Sequence, residues 1–234
     1  MKGLTILSTG SALPRRQVTN DELSKTLDTS DAWIRERTGI RSRYLCSGNE
    51  NGEWLATLAG KRALAKSGIP KEKIGACIVA TVGPDTMSPS TANKVAFNLG
   101  LSPDIPSFDI SAACSGFMYA LRIAQGLIAE GDRPYALIIG CEVLSRQLDF
   151  TARSTCVLFG DGAGAVIAAA RKDALFITTL GSWADDTAIH VPGPAASSPY
   201  ASMDGRKVFR FAVKIVPKVI DRLLTQSGLS LDTI

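Results

Sequence analysis

One cysteine, Cys114, lies in a sequence context that suits a nucleophile. Residues 108–117 read FDISAACSGF, so a short strand-like run leads through small residues into a long apolar stretch. We expect the sulfur of Cys114 to lie at the N-terminus of a helix, where free N–H groups and the helix dipole stabilise a thiolate. Such a thiolate, with small neighbours that admit a carbonyl group, suits acyl transfer through a thioester. A buried structural cysteine is the alternative interpretation.

The other cysteines and the single histidine have contexts more typical of structural residues. Cys77, Cys141 and Cys156 lie in or beside apolar runs, and Cys46 lies in a polar loop. The chain has five cysteines, and no two are spaced as CxxC, so we expect reduced thiols in a cytoplasmic protein and no structural zinc site. His190 is the only histidine, and a lone histidine is more often structural than catalytic.

An aromatic and a basic residue four positions apart have the chemistry to bind a nucleotide. Trp33 and Arg37 would share one face of a helix. An indole can stack on a purine, and a guanidinium can bind phosphate. A core tryptophan beside a solvated basic turn is the alternative.

A glycine-rich run, GDGAG at residues 160–164, resembles a phosphate-binding loop only superficially. A dinucleotide-binding fingerprint follows a strand and opens a helix. Here the run leads into apolar residues 165–169, which are typical of a strand. We therefore interpret it as a tight turn with close backbone packing.

Basic residues recur every four positions near the end of the chain, and this spacing keeps them broadly on one side of a helix. They are Arg206, Arg210, Lys214, Lys218 and Arg222. The stripe is either a docking surface for an acidic partner or an ordinary solvated face.

The elements that must position these residues follow from apolar patterning. Continuous apolar runs, typical of strands buried on both faces of a parallel sheet, occupy 4–7, 77–82, 136–139 and 165–169. Helical patterns occupy 20–27, 53–67, 90–99, 115–130 and 205–226. The alternation predicts an α/β protein.

Three stretches carry more specific expectations. Residues 115–130 are apolar on nearly every face, which predicts a fully buried helix. Pro217 is expected to kink or break the last helix. Residues 183–203 are expected to form a long loop.

The composition is that of an ordinary globular chain. The 234 residues carry a formal charge of +4, are 45% hydrophobic and 21% charged, and contain 21 Gly and 11 Pro. These values exclude a disordered, collagen-like or disulfide-scaffold protein. The charge excess is too mild for a polybasic nucleic-acid binder. No apolar run reaches the ~18 residues of a membrane helix, and residues 4–7 are too short for a signal-peptide core.

Taken together, several segments resemble the β-ketoacyl-acyl carrier protein synthase III family of thiolase-like condensing enzymes. The resemblance covers almost the whole chain, and its most specific blocks are SAACSGF at 111–117 and FGDGAGA at 159–165. The other matching segments are GSALP at 10–14, VTN at 18–20, DTSDAWI at 28–34, RTGI at 37–40, EVLS at 142–145, RST at 153–155 and MDGRKVF at 203–209.

The resemblance implies the initiation of fatty-acid synthesis. An acyl group, with acetyl-CoA as the expected donor, moves from CoA to Cys114 and condenses with malonyl-acyl carrier protein with loss of CO₂. It further implies a homodimer and no metal or redox cofactor. The alternatives are a related polyketide- or quinolone-type condensing enzyme, and an inactive chain that acts only in binding.

The resemblance also assigns a CoA-binding role to four residues near the nucleotide end. Trp33 would stack on the adenine, with Thr29 beside it. Arg37 and Arg153 would hold the nucleotide. These roles are carried over from matching motif positions only.

At the start of the last helix, the resemblance implies two further functions. Gly205 and Phe209 match residues that line the pantetheine tunnel. Arg210 matches a position involved in carrier-protein docking, and Lys214 lies one turn further along the same stripe. This favours the docking interpretation of the stripe.

For the acyl pocket, the resemblance points to Leu144 and Phe159. It also points to Ser88, which stands where the family has a bulky aromatic residue. A small residue there would leave a longer pocket for a primer other than acetyl, unless Met87 fills the space.

The implied architecture is a thiolase-like αβαβα layering, with residues 1–172 as the first half and 173–234 as the start of the second. The histidine and asparagine that the family uses for decarboxylation would follow Ile234. We therefore expect the second half to be incomplete in these 234 residues, and condensation by them alone to be weak.

Overall fold

The structure is a computed structural model that describes residues 3–193 and 195–234. Its strands are β1 (Gly3–Ala12), β2 (Arg16–Thr19), β3 (Ser42–Leu45), β4 (Ile74–Ala80), β5 (Ser107–Ile110), β6 (Tyr135–Val143), β7 (Asp161–Arg171), β8 (Ile189–His190) and β9 (Ser202–Met203). Its α-helices are α1 (Asn20–Ser24), α2 (Asp31–Thr38), α3 (Gly52–Ser67), α4 (Thr91–Leu99), α5 (Gly116–Ile128), α6 (Arg153–Cys156) and α7 (Gly205–Ser227). Short 3₁₀ turns occupy Lys71–Lys73, Ala113–Ser115, Leu144–Gln147 and Leu231–Thr233.

The central sheet is mixed rather than parallel throughout. Its strand order is β1-β7-β6-β4-β5. Strand β4 is parallel to both β5 and β6, whereas β7 is antiparallel to β6 and to β1. The prediction of a parallel sheet is therefore wrong for β7, because a continuous apolar run shows burial on both faces and not strand direction.

Helices cover the two faces of this sheet. On one face, α3 and α4 contribute small and medium apolar side chains such as Leu55, Ala59 and Val95 to the larger core cluster. On the other face, α5 packs Ala120 and Ala124 against the sheet in a second cluster. The α/β class predicted from the sequence is confirmed, with the sheet as the middle layer.

The boundaries of α3 show why the sequence places a helix there. The Asn51 side chain accepts a hydrogen bond from the Trp54 backbone N–H at 2.8 Å, which satisfies a free donor at the helix start. Gly68 ends the helix in the left-handed conformation, with φ 66°. The helix predicted over 53–67 is confirmed.

Strand β1 and helix α3 approach each other so closely that a side chain does not fit between them. A Cβ atom on Gly10 would lie 2.3 Å from the Ala59 carbonyl oxygen and 2.5 Å from the Ala63 nitrogen. Real Cβ atoms essentially never approach backbone atoms to under 3.0 Å. Glycine at this position is therefore required by packing.

The helix that carries the most apolar residues, α5, is buried on one side only. Met118, Ile123 and Leu127 are 47%, 40% and 42% exposed on the side away from the sheet. The prediction of an all-round buried helix is wrong for this chain, because apolar composition does not specify what covers each face.

Helix α7 is amphipathic and runs continuously through Pro217 over 23 residues, so the expected break is not found. None of its residues, all of which the structure describes, is buried. Phe209 and Val213 are 69% and 58% exposed. Asp204 caps the helix through the backbone N–H groups of Arg206 and Lys207.

Two loop interpretations also need correction. The glycine run at 160–164 is mostly the first part of β7 and not a tight turn, although Gly160 does lie close to the Tyr44 backbone. Residues 183–203 are not entirely loop, because β8 and β9 pair antiparallel, Ile189 with Met203. No helix in the described part of the chain is long and apolar enough to cross a membrane.

Candidate active site

Cys114 lies where the carboxyl end of a strand meets the start of a helix. Strand β5 ends at Ile110, a 3₁₀ turn spans Ala113–Ser115, and α5 begins at Gly116. A Cβ on Gly116 would lie 3.0 Å from the Ala80 Cβ, so glycine lets the helix start approach strand β4. Cys114 is exposed, and its position at the N-terminus of α5 agrees with the sequence-based expectation.

The backbone before the thiol is held in an unusual conformation. Ala113 has φ 45°, the only positive φ of a non-glycine residue in the described part of the chain. Such a conformation costs on the order of 1 kcal/mol or more and persists only where the surroundings fix it. This residue directly precedes Cys114 in the 3₁₀ turn.

The thiol opens onto a cavity of about 170 Å³. Leu144 and Phe159 line this cavity, as the sequence analysis predicts for an acyl pocket. Its remaining lining residues are Val82, Ala113, Glu142, Leu148, Thr155, Ile189, Val191, Ala201, Ser202 and Met203. Most of these side chains are apolar, so the cavity suits an alkyl chain attached to the sulfur.

One wall of the cavity is the hairpin formed by β8 and β9. Gln147 anchors this hairpin through two hydrogen bonds. Its side-chain amide donates to the Pro192 carbonyl at 3.2 Å, and its backbone carbonyl accepts from the Ala201 N–H at 2.7 Å. The sequence does not reveal this wall, because the Gly, Pro and Ser residues of 183–203 are typical of a loop.

A buried carboxylate, Asp161, joins the start of β7 to two other segments of the chain. It is 4% exposed. It accepts hydrogen bonds from the Cys46 N–H at 2.7 Å, the Ser145 N–H at 2.9 Å and the Ser145 hydroxyl at 2.6 Å. These bonds lie next to two residues of the cavity wall, Leu144, which precedes Ser145, and Phe159, which lies two residues before Asp161. The available signal in the sequence is a charged residue within the glycine run 160–164.

A second carboxylate, Glu142, faces the cavity itself. It accepts from the Val82 N–H at 2.8 Å and from the Thr81 hydroxyl at 3.4 Å. Burial raises the pKa of Glu142 above its usual range. It ties the end of β4 to β6 beside Cys114, and its charge in an otherwise apolar strand was the available signal.

The other four cysteines are poor nucleophiles in this structure. Burial raises the pKa of Cys46 and of Cys77 to about 12, and also raises the pKa of Cys141 and Cys156. Cys46 is partly buried and the other three are buried. Their structural assignment in the sequence analysis agrees with this, and it leaves Cys114 as the exposed thiol.

A second group of predicted residues comes together around Trp33. The Trp33 N–H is capped by the Ser30 hydroxyl at 3.1 Å, which starts α2. The guanidinium carbon of Arg37 lies 5.1 Å from the centre of the indole, and that of Arg153 lies 4.7 Å from it. Both distances are within the range of cation–π attraction.

Thr29 lies beside this group and carries an unused polar atom. Its hydroxyl oxygen is buried and has no hydrogen-bond partner among the described residues. Arg153 donates a hydrogen bond to the backbone carbonyl of Asp28, the residue before Thr29. The four residues predicted to bind the nucleotide end of CoA thus lie on two segments of the chain that are adjacent in space.

The remaining predicted residues are not gathered at the cavity. Ser88 is exposed and does not line it, and neither do Gly205 and Phe209 at the start of α7. Arg210 and Lys214 are exposed further along α7. The roles predicted for these five residues stay predictions.

His190 lies at the surface, next to two residues that line the cavity. His190 is exposed in β8, between cavity-lining Ile189 and Val191. Among the described residues, no group of three or more His, Cys, Asp or Glu side chains is arranged to hold a metal ion.

Comparison with known proteins identifies the family. Residues 108–182 match the family model described as 3-oxoacyl-[acyl-carrier-protein] synthase III. Over 235 residues, the chain is 44% identical to the β-ketoacyl-[acyl-carrier-protein] synthase III of Neisseria meningitidis serogroup C, strain FAM18. That alignment covers 97% of this chain and 73% of its relative. The chain belongs to the β-ketoacyl-[acyl-carrier-protein] synthase III family.

Solved structures of synthase III proteins have the same fold. The crystal structure of the enzyme from Pseudomonas aeruginosa PAO1 matches with a TM-score of 0.89 at 38% identity, covering 97% of this chain and 72% of that one. The structure from Aquifex aeolicus VF5 matches with a TM-score of 0.82 at 38% identity, covering 97% and 73%. The thiolase-like architecture implied by the sequence is therefore confirmed for the described part of the chain.

The family match and the site coincide along the chain. The matched segment 108–182 contains Cys114, Leu144, Arg153, Phe159 and Asp161. It therefore contains the nucleophile candidate, part of its cavity and one partner of the indole.

Proposed function

We propose that the protein transfers an acyl group from acyl-CoA to Cys114 and condenses it with malonyl-acyl carrier protein. The observation that carries the proposal is the exposed Cys114 thiol at the N-terminus of α5, open to a cavity of about 170 Å³. The thiolate attacks the thioester carbonyl, and the CoA thiolate leaves. Decarboxylation of the malonyl group then supplies the carbanion that attacks the acyl carbon, releasing CO₂ and Cys114 to give a 3-oxoacyl-carrier protein.

The proposed acyl donor fits the second group of residues. A purine that stacks on Trp33 would lie against a ring that already attracts two guanidinium groups, Arg37 and Arg153. Thr29, whose buried hydroxyl oxygen has no partner among the described residues, is proposed to lie beside the nucleotide. Gly205 and Phe209 are proposed to line the path of the pantetheine arm. Neither substrate is a resident cofactor, and none is proposed.

A homodimer is the proposed assembly. Strand β5 is an edge of the central sheet, and an edge strand presents unpaired backbone groups to a second copy. Phe97 and Met87, which precede β5 in the chain, are 85% and 75% exposed. A role for the exposed Ser88 in an acyl pocket requires that its loop meets the cavity of the second copy.

Two further expectations remain proposals. The division into residues 1–172 and 173–234 is proposed as two thiolase-like halves, the second only begun here. The cytoplasm is proposed as the compartment, supported by the five free cysteines.

The identity of the condensation product tests the proposal. Protein acylated from acetyl-CoA is mixed with malonyl-carrier protein or with malonyl-CoA, and the products are identified by mass spectrometry, so that product identity rather than rate is read. We expect a 3-oxoacyl group on the carrier protein. Product on CoA alone would support a polyketide- or quinolone-type enzyme. Acylated Cys114 with no product from either extender would support the binding-only alternative.

The basic stripe on α7 is the proposed docking site for the acidic carrier protein. Arg210 and Lys214 are exposed, and no ion pair in the described part of the chain involves either. Replacing both by Glu is expected to lower the rate with malonyl-carrier protein roughly tenfold or more at low salt. The loss should shrink as added salt screens the charges. Acylation of Cys114 by acetyl-CoA should not change.

A matched reversal elsewhere controls for net charge. Arg171 and Lys172 are exposed at the end of β7, and the same two substitutions there change the total charge equally. We expect them to leave the rate with carrier protein unaltered. Equal losses from the two double variants would contradict a docking role for the stripe.

A further inference from the structure

A buried arginine lies between the two segments that carry the proposed CoA-binding residues. Arg43, in β3, is 5% exposed. No ion pair in the part of the chain that the structure describes includes it. A buried guanidinium without a carboxylate is costly unless its hydrogen bonds are strong, and burial lowers the pKa of Arg43. The acceptors of its hydrogen bonds therefore indicate its role in the structure.

One side of Arg43 leads to helix α2. Its Nη2 donates to the Asn20 side-chain oxygen at 2.7 Å, and Asn20 is 1% exposed. The Asn20 amide nitrogen in turn donates to the Asp31 carboxylate at 2.9 Å and to the Ile40 carbonyl at 2.8 Å. Asp31 begins α2 and Ile40 follows its end, so Asn20 fixes both ends of the helix that carries Trp33.

The other side of Arg43 leads to helix α6. The same Nη2 donates to the Val157 carbonyl at 3.1 Å, and Val157 directly follows the helix that carries Arg153. A further bond runs from Nη1 to the Val18 carbonyl at 3.3 Å. One nitrogen thus connects the segment that holds the indole with the segment that holds its guanidinium partner.

The surroundings show that packing alone does not require an arginine here. Ile34, Cys156 and Val157 belong to one buried apolar cluster beside it. An apolar side chain could pack in this space but would hold none of the surrounding oxygens in place. The planar guanidinium holds three hydrogen-bond acceptors at once. Gly160 makes room for it, since a Cβ there would lie 2.9 Å from the Arg43 Cβ.

We infer that Arg43, acting through Asn20 and the Val157 carbonyl, is a positioning residue that sets the separation of Trp33 and Arg153 for the nucleotide end of acyl-CoA. It touches no substrate itself. The inference rests on the proposed function, because it concerns the same CoA site. It predicts that losing the guanidinium weakens recognition of the nucleotide and leaves the reaction at Cys114 intact.

The test compares a donor that has the nucleotide with one that lacks it. Arg43→Met keeps length and packing but removes the bridging bonds. Acylation of Cys114 is measured against the concentration of acetyl-CoA and of acetyl-pantetheine. We expect the half-saturating concentration of acetyl-CoA to rise about tenfold, in the range of one lost stacking contact. The half-saturating concentration of acetyl-pantetheine and the maximal rate with either donor should stay unchanged.

Three companion variants decide the outcome. Trp33→Ala should give the same pattern, and the double variant should be little worse than either single one. Val95→Ala, in the larger core cluster between α3, α4 and the sheet, should lower stability without altering the Arg43 hydrogen bonds. It should not change the half-saturating concentration of one donor relative to the other. Arg43→Lys keeps a charge but cannot serve the same acceptors together, and should be intermediate; it also replaces Arg43→Met if that variant does not fold.

Each result has one interpretation. Equal losses with both donors in the Arg43 variants would show a purely structural role and overturn the inference. The same holds if acetyl-CoA recognition is unchanged in these variants while Trp33→Ala remains selective. If Trp33→Ala itself shows no selectivity for the nucleotide, the proposed CoA site fails, independently of Arg43.

Discussion

Replacing Cys114 by alanine is expected to abolish transfer of a labelled acetyl group from acetyl-CoA to the protein. Removal of a catalytic nucleophile lowers rates on the order of 10⁴- to 10⁶-fold, which in a labelling experiment means no detectable thioester. The reason is specific to this site. Cys114 is exposed at a helix start, and among the described residues it is the one cysteine that lines the apolar cavity. The measurement is the mass and the label of the intact protein after incubation.

A second cysteine supplies the control. Cys46 is only partly buried, and its pKa is raised to about 12, so at neutral pH it is protonated. Cys46→Ala should therefore label as the unaltered protein does. If Cys114→Ala retains full labelling, Cys114 is not the acyl acceptor, and loss of label in Cys46→Ala would then place the acyl group on Cys46.

Replacing Gly10 by alanine is expected to destabilise the fold by roughly 3 kcal/mol, at the upper end of overpacking effects. The added methyl group would meet the backbone of α3 at 2.3 and 2.5 Å, and a backbone in the middle of a helix cannot move aside as a side chain can. The sheet and α3 must therefore separate. Denaturant unfolding monitored by circular dichroism measures the loss of stability.

The adjoining strand offers a matched glycine. Gly164 in β7 pairs with Ser11 of β1, and a Cβ added to it meets nothing within 4 Å. Gly164→Ala is expected to change stability by less than about 1 kcal/mol. A Gly10→Ala variant as stable as Gly164→Ala would show that β1 and α3 are less tightly apposed than described.

The chemistry of the site could be predicted where it depends on local sequence. The small residues before Cys114 indicated a turn into a helix, and the spacing of Trp33 and Arg37 indicated one helix face. Both follow from the 3.6-residue period and from the exposed donors of a helix start. Arg153 entered only through the family resemblance, because no local pattern shows that it folds against Trp33.

What could not be predicted depends on contacts between distant segments. Arginines are mostly exposed, so nothing local marked Arg43 as buried. Asp161 was hidden in a glycine run whose strand character comes from its pairing with β1 and β6. The antiparallel course of β7 and the open side of α5 likewise depend on neighbours that a one-dimensional pattern does not specify. Local rules therefore placed the elements, and long-range packing decided their direction and burial.

The two walls of the proposed acyl cavity come from separate segments of the chain. Cys114 belongs to the rigid junction of β5 and α5, whereas the facing wall is the short β8–β9 hairpin, tied down through Gln147. A substitution at Ile189 or Val191 can therefore reshape the space for the alkyl group without displacing the sulfur. We therefore expect substitutions in the hairpin to change the preferred acyl group while acylation still occurs at Cys114.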